Sequence, residues 1–280
     1  MYKQIMKPYV VPLKPLPTPL KPRNKLKSGV RAILFDIYGT LLVSSSGDIG
    51  IARKDSLMAA PLKTLLAKYQ ISIPPMQLRA QLFEAIECDH AVKKKQGIDY
   101  PEVCIEEIWR RVLGIKDIKT VRQFAAEYEM IVNPVYPMPH LPDLLKTLEE
   151  RKIPMGLISN AQFFTPHLFD LFYDHFPETL GFDPDLIFYS YEYGYAKPSL
   201  FLFEQAAQAL SEKGFKPADV LYVGNDMLND VYAAHNAGFR TCLFAGDARS
   251  LRLRENESAM NTIPPDAIIN DLIQLTDMIP

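Results

Sequence analysis

The apolar and polar positions along the chain fall into two regimes. From Val30 to Ile37 the sequence VRAILFDI is a nearly unbroken apolar run, preceded by Ser28-Gly29. That pattern predicts a strand buried on both faces. A polar, glycine-containing loop follows from Ser44 to Gly50. From about Lys54 to Met130 the period lengthens. SLMAAPLKTLLAKYQ, PPMQLRAQLFEAIECDHAVKKKQ, YPEVCIEEIWRRVLG and VRQFAAEYEMIV each repeat apolar residues three or four apart, which predicts amphipathic helices. Alternation then begins: the helices PDLLKTLEERK, TPHLFDLFYDHF, SLFLFEQAAQALSEKG and NDVYAAHNAG interleave with the strands IPMGLISN, DLIFYS, DVLYVGND and FRTCLFAG. A short PDAII strand and a DLIQLTDMI helix close the chain. Strand–helix alternation implies an α/β fold with a parallel sheet and helices on both faces. Residues 30–44 and 134–280 form that core, and residues 45–133 form a helical unit inserted after the first strand. Ligands of such sheets bind beyond the carboxyl ends of the strands. Asp36, Ser159-Asn160 and Asn225-Asp226 all fall at those ends.

Composition changes the picture little, except at the start of the chain. A length of 280 residues suits one large domain or a core with an inserted unit. The net charge of −2 argues against a dedicated nucleic-acid binder, since no domain-wide basic field is present. Three widely spaced cysteines suit a reducing compartment, and no apolar run reaches the length of a membrane span, so the expected location is cytoplasmic. Residues 1–29 hold six prolines, six lysines, one arginine and no acid. Repeated proline favours extended polyproline II. An arm lying on the domain or reaching a partner is set against a leader with no function, which the sequence favours.

Four short motifs carry chemistry: FDIYGT with Asp36 and Thr40, LISNAQ with Ser159, YGYAKPSLFLF with Lys197, and YVGNDMLNDV with Asp226 and Asp230. In this order, at strand ends, they resemble the haloacid dehalogenase (HAD) superfamily over roughly residues 30–275. The resemblance implies a Rossmann-like core with a helical cap and a hydrolase that uses a covalent intermediate. Asp36 would attack carbon or phosphorus, giving an ester or acyl phosphate that water cleaves. Thr40 would orient the loop. Ser159 and the neighbouring main chain at Asn160 would hold an anionic oxygen, and Lys197 would neutralise charge during attack. Magnesium-dependent relatives hold the ion between the nucleophile and an acid of the fourth motif. Here the corresponding set is Asp36, the Tyr38 carbonyl, Asn225 and Asp226. Asn225 stands where many relatives carry Asp, so Asp226 is the favoured ligand. Asp230 would hold Lys197 or cap the next helix.

Tyr38 stands where the phosphatases of the family carry their second aspartate, the proton shuttle. A phenol titrates near ~10, too high for that work at neutral pH. The motif DxYGT is similar to that of L-2-haloacid dehalogenases, in which halide leaves without a proton and no metal is needed. Against that, Arg53 and Arg79 match no cap-arginine motif, Phe203 replaces a tyrosine after Lys197, and the fourth motif is acidic. The sequence favours magnesium-assisted phosphate-ester hydrolysis of a small anionic substrate. A metal-free 2-haloacid dehalogenase and a non-catalytic binding protein are the alternatives. His90, Lys93, Lys94, Lys95 and Tyr100 form a basic lip or, as the sequence favours, a solvated face. Arg249, Arg252 and Arg254 bind an anion or, as the sequence favours, pair with Glu255 and Glu257. Trp109 is expected in the core of the insertion. Neither nucleic acid nor membrane is an expected partner, and a homodimer is left open.

Overall fold

The computed structural model describes residues 1–26, 29–45, 59–257 and 262–280. Ser28, Arg53, most of the loop to Gly50 and the start of the first insertion helix at Ser56 lie outside them. The strands are β1 (Arg23–Asn24), β2 (Ala32–Phe35), β3 (Leu42–Ser44), β4 (Val135–Pro137), β5 (Met155–Ser159), β6 (Phe182–Tyr189), β7 (Val220–Gly224), β8 (Arg240–Phe244) and β9 (Ala267–Ile269). The helices are α1 (Tyr2–Met6), α2 (Ala59–Lys68), α3 (Pro75–Lys95), α4 (Ile105–Leu113), α5 (Ile118–Val132), α6 (Leu141–Glu150), α7 (Thr165–Tyr173), α8 (Ser190–Tyr193), α9 (Phe201–Glu212) and α10 (Ala233–Asn236).

The apolar runs pair into one sheet of order β1-β9-β8-β7-β2-β5-β6, parallel except for β1. β2 lies inside it, between β7 and β5, buried at every residue. Its period of two splits the core: Ile33 and Phe35 pack with Leu144, Leu148 and Leu168 on one face. Ala32 and Leu34 pack with Leu202, Ala206 and Leu210 of α9 on the other. β3 and β4 form a separate antiparallel pair where the chain leaves for, and returns from, helices α2–α5. Within those helices Trp109 is buried, its ring 4.6 Å from Tyr128 and 5.0 Å from Phe124.

Four expectations change. The proline-rich segment opens with α1 and a 3-10 turn at Lys7–Tyr9, because the first seven residues lack proline and Tyr2 packs on Phe163 and His167. YPEVCIEEIWRRVLG becomes helical only from Ile105, as Pro101 pairs with Tyr195 in a β-bridge first. NDVYAAHNAG splits into a π-helical segment, Met227–Tyr232, and α10. DLIQLTDMI is a 3-10 helix, Leu272–Asp277, capped by Asp271 with Gln274.

Candidate functional site

β2 ends one residue before Asp36, and the main chain turns there on Gly39. That glycine has φ +86°, and a Cβ would stand 2.6 Å from Ser250 Cβ and 2.8 Å from Asn225 Nδ2. The turn leaves Asp36 buried beside the ends of β5 and β7. Its Oδ1 accepts from Ser159 Oγ at 2.9 Å and from Lys197 Nζ at 2.7 Å. Its Oδ2 has a single long contact, Thr40 Oγ1 at 3.4 Å, and that hydroxyl lies nearer Asn225 Oδ1 at 3.1 Å. One carboxylate oxygen is therefore pinned and the other is open.

Lys197 is the hub of the site. Besides Asp36 it contacts Asp230 Oδ1 at 2.5 Å, Tyr222 Oη at 2.9 Å and the Ile158 carbonyl at 3.3 Å. Asn160 fixes its main chain, accepting from Lys197 N at 2.7 Å and donating to the Lys197 carbonyl at 3.1 Å. Burial pulls the ammonium pKa down, but Asp230 and Asp36 outweigh it and the net shift is upward, so the lysine stays charged. Asp230 reaches it because Gly224 has no side chain: a Cβ there would come within 2.3 Å of Asp230 Cγ. Tyr222 was not singled out by the sequence. Its position on β7 and period-two spacing from Gly224 are the signals that point its hydroxyl to this face.

Tyr38 is enclosed, its hydroxyl 2.9 Å from Thr165 Oγ1 at the start of α7. Desolvation, reinforced by the charge of Glu129, drives its pKa far above the ordinary phenol value. The phenol therefore keeps its proton at neutral pH and cannot serve as the proton shuttle.

The fourth motif does not present the oxygens expected of a magnesium site. Asp226 Oδ1 caps the π-helical segment, accepting from Leu228 N at 2.8 Å and Asn229 N at 3.3 Å. Arg254 then takes both oxygens, Nε to Oδ1 at 3.1 Å and Nη2 to Oδ2 at 2.5 Å. Asn225 is neutral; its Oδ1 accepts from Thr40 and its amide donates to the Ser250 carbonyl at 2.6 Å. What is left of the set is one oxygen of Asp36 and the Tyr38 carbonyl. Among the described residues no group of three or more His, Cys, Asp and Glu is arranged to hold a metal ion. These residues do not fit magnesium, which requires several hard oxygens in octahedral array.

The expected pairing of the arginines with Glu255 and Glu257 is corrected. Arg254 binds Asp226, Arg249 binds Asp247 at 3.2 Å, and Arg252 donates to the carbonyls of Arg249 and Leu251 at 2.7 and 3.0 Å. The segment is extended and bridges to Asp226, so its alternate residues turn toward the motif rather than toward the acids that follow. Lys93 is held by Asp89 at 2.8 Å and by the Glu102 carbonyl at 2.5 Å. Arg79 is buried in α3 and Phe203 packs on Tyr222.

All of this opens onto a cavity of about 370 Å³, within the range of small-molecule sites. Asp36, Tyr38, Asn160, Lys197, Asn225, Asp226 and Asp230 line it, with Arg252 and Arg254 beside them. The opposite wall comes from the inserted helices, mostly apolar, with His90, Glu129 and Asn133. Ser159 and Thr40 lie behind it, fully buried. No helix of the described residues is long and apolar enough to cross a membrane.

Comparison with known proteins agrees with this geometry. The family model for haloacid dehalogenase-like hydrolases matches residues 30–238. No curated protein matches the chain. Among solved structures, the 2-haloacid dehalogenase from Pseudomonas syringae pv. Tomato DC3000 superposes with TM-score 0.55 at 19% identity, covering 89% of this chain and 97% of its own. A predicted phosphoglycolate phosphatase from Haemophilus somnus 129pt gives 0.51 at 17%, covering 90% and 98%. The HAD-hydrolase YfnB from Bacillus subtilis, bound to magnesium, gives 0.50 at 17%, covering 89% and 98%. Dehalogenases and phosphatases thus share this fold with the chain. With its motifs at adjoining strand ends and the family model matched over most of its length, the chain belongs to the haloacid dehalogenase-like hydrolases.

Proposed function

We propose that this hydrolase works without a metal ion, displacing a leaving anion from carbon through an ester on Asp36. The observation that carries this reading is the Arg254–Asp226 pair, which occupies the acid a magnesium ion would need. Tyr38 supports it, since displacement of halide needs no proton donor. In the first step Asp36 Oδ2 forms a bond to the substrate carbon as the carbon–halogen bond breaks and halide departs. Ser159 and Lys197 hold Oδ1, aligning the open oxygen and balancing charge. Water then adds at Asp36 Cγ, the ester breaks, and an alcohol and one proton leave with the carboxylate restored. The inserted helices act as the cap that excludes bulk water.

Phosphate-ester hydrolysis is the second reading, favoured by one observation: Lys197, Arg252 and Arg254 bring three cations to the cavity. Magnesium assistance belongs to that reading. One assay separates the two. Halide release from chloropropionate and chloroacetate is measured beside phosphate release from an aryl phosphate, each with magnesium or chelator, in the wild type and in Asp36→Asn. Halide release that ignores chelator and falls at least ~10³-fold in the variant is expected. Magnesium-dependent phosphate release without halide release would replace the first reading by the second.

A further inference from the structure

The cavity wall contributed by the inserted helices holds an acid that the chemistry above does not use. Glu129 lies in the last turn of α5 and lines the cavity that contains Asp36 and Tyr38. Its Oε1 accepts from Asn133 Nδ2 at 3.1 Å, and Asn133 Oδ1 in turn accepts from Ser44 Oγ at 2.8 Å. Its Oε2 makes no hydrogen bond among the described residues, yet it is not sealed off, because the side chain faces the cavity.

Among the described residues no cation answers it. Lys197 is committed to Asp36 and Asp230, Arg254 to Asp226, and Arg252 to main-chain carbonyls. His90 of α3 faces the same cavity, but desolvation shifts it toward the neutral form. Tyr38 and Tyr128 are the other titratable groups against Glu129, and both are neutral phenols. The last turn of α5 has no basic residue, so the carbonyl end of the helix adds its own negative field. Burial pushes the Glu129 carboxyl up to about 7, against the Asn133 hydrogen bond. An isolated acid at a helix carboxyl end is unfavourable unless something positive joins it.

We propose that Glu129, on the cavity wall that the inserted helices contribute, receives a protonated amine of the substrate. The substrate class is then an amine-bearing small acid, with an aliphatic or aromatic body lying against Leu82, Ile86, Trp109 and Val132. The inference rests on reading this cavity as the substrate site. It differs from a purely anionic substrate in one respect, a positive charge carried on the part that leaves with the alcohol product. An ammonium there completes the Ser44–Asn133–Glu129 chain and neutralises the helix end.

The test uses unreactive acids, so that binding is read without turnover. Aminobutyrate, aminovalerate and aminocaproate are compared by calorimetry with their isosteres pentanoate, hexanoate and heptanoate, near pH ~8 where a carboxyl of this kind is ionised. The full chain is used, as wild type and Glu129→Gln, with the fold of the variant checked by circular dichroism. At least one amino acid of the series is expected to bind wild type about tenfold more tightly than its isostere, and Glu129→Gln is expected to lose that margin. In the wild type alone, the margin should shrink as pH falls through about 7. No amine preference in wild type, no binding of any amine, or a preference that survives in the variant overturns the proposal. An amine preference without any ester on Asp36 would leave this subsite standing and remove the displacement reading. An Asp36 ester with no amine preference would do the reverse.

Discussion

Arg254 and Glu129 set the charges of the cavity, one paired with an acid of the fourth motif and the other on the wall of the inserted helices. Removing Arg254 leaves Asp226 buried with two backbone donors and no cation. Arg254→Ala is therefore expected to cost about 1–3 kcal/mol, read from urea unfolding. It should also let magnesium raise Tm, an effect expected to be absent from the wild type; a wild-type Tm that rises with magnesium would show that Asp226 is free to take the ion. Glu129 makes a pH prediction. Its carboxyl moves from 4.5 to about 7 on folding, so the folded chain binds the proton more tightly. That contribution is full below the unfolded value and is lost as pH rises through about 7. Glu129→Gln, neutral throughout, should gain stability over wild type on going from pH ~5 to ~8, by on the order of 1–3 kcal/mol because cavity solvent softens the shift. A flat difference across that range would count against it. At this scale the sequence was legible where a motif is local. Asp36 and Ser159 lie at strand ends and Lys197 in the loop after α8, and the structure brings all three together. Arg254 was not legible, since its partner is 28 residues away and nearer acids compete on paper. Glu129 left a trace: it interrupts the apolar stripe of Ala125 and Val132 on α5.

The strands β2 and β5 to β9 were readable because a short apolar run between turn residues has few alternatives, whereas β1, β3 and β4, of two or three residues each, were too short to read. The π-helical segment was not. Its apolar spacing matches an α-helix, and what distinguishes it is a main-chain choice, Val231 N bonding the Asp226 carbonyl at 3.1 Å. That choice swings Asp230 beneath Gly224, where Oδ2 accepts from Asp226 N at 2.9 Å and Oδ1 meets Lys197. The element thus sets the lysine, and the glycine permits the element. Gly224→Ala forces a Cβ into Asp230. We expect it to destabilise by about 1–3 kcal/mol through overpacking and to lower kcat far more than KM. Unchanged kinetics in a folded Gly224→Ala chain would show that Asp230 does not position Lys197.

At the scale of the molecule, the first 26 residues act as a strap. α1 and the following turn sit on α5 and α7, where Tyr9 Oη donates to the buried Glu127 at 2.7 Å beside Lys68 and Tyr69. The proline-rich stretch then runs to the other side. Leu16 N donates to Asp247 Oδ1 at 2.9 Å, Ala248 N donates to the Leu16 carbonyl at 2.8 Å, and Thr18 Oγ1 donates to the Ala245 carbonyl at 2.6 Å. β1 finally covers the edge strand β9. Composition offered an arm on the domain as one alternative, but not its partners, which lie more than 200 residues away in the chain. The strap therefore joins the inserted helices to the segment that carries Arg252 and Arg254. Deleting residues 1–26 should do three things in consequence. It strips Glu127 of Tyr9, it releases the 245–249 turn that aims Arg254 at Asp226, and it bares a sheet edge. The truncated chain is expected to melt several degrees lower, to exchange amide protons faster in α5 and around 247–254, and to self-associate with rising concentration. Its turnover should fall even below the new melting temperature, because the loosened Arg254 segment no longer holds Asp226. Hydrogen exchange is the deciding readout: protection retained in both distant segments would mean that the arm merely lies on the surface, whatever the change in Tm.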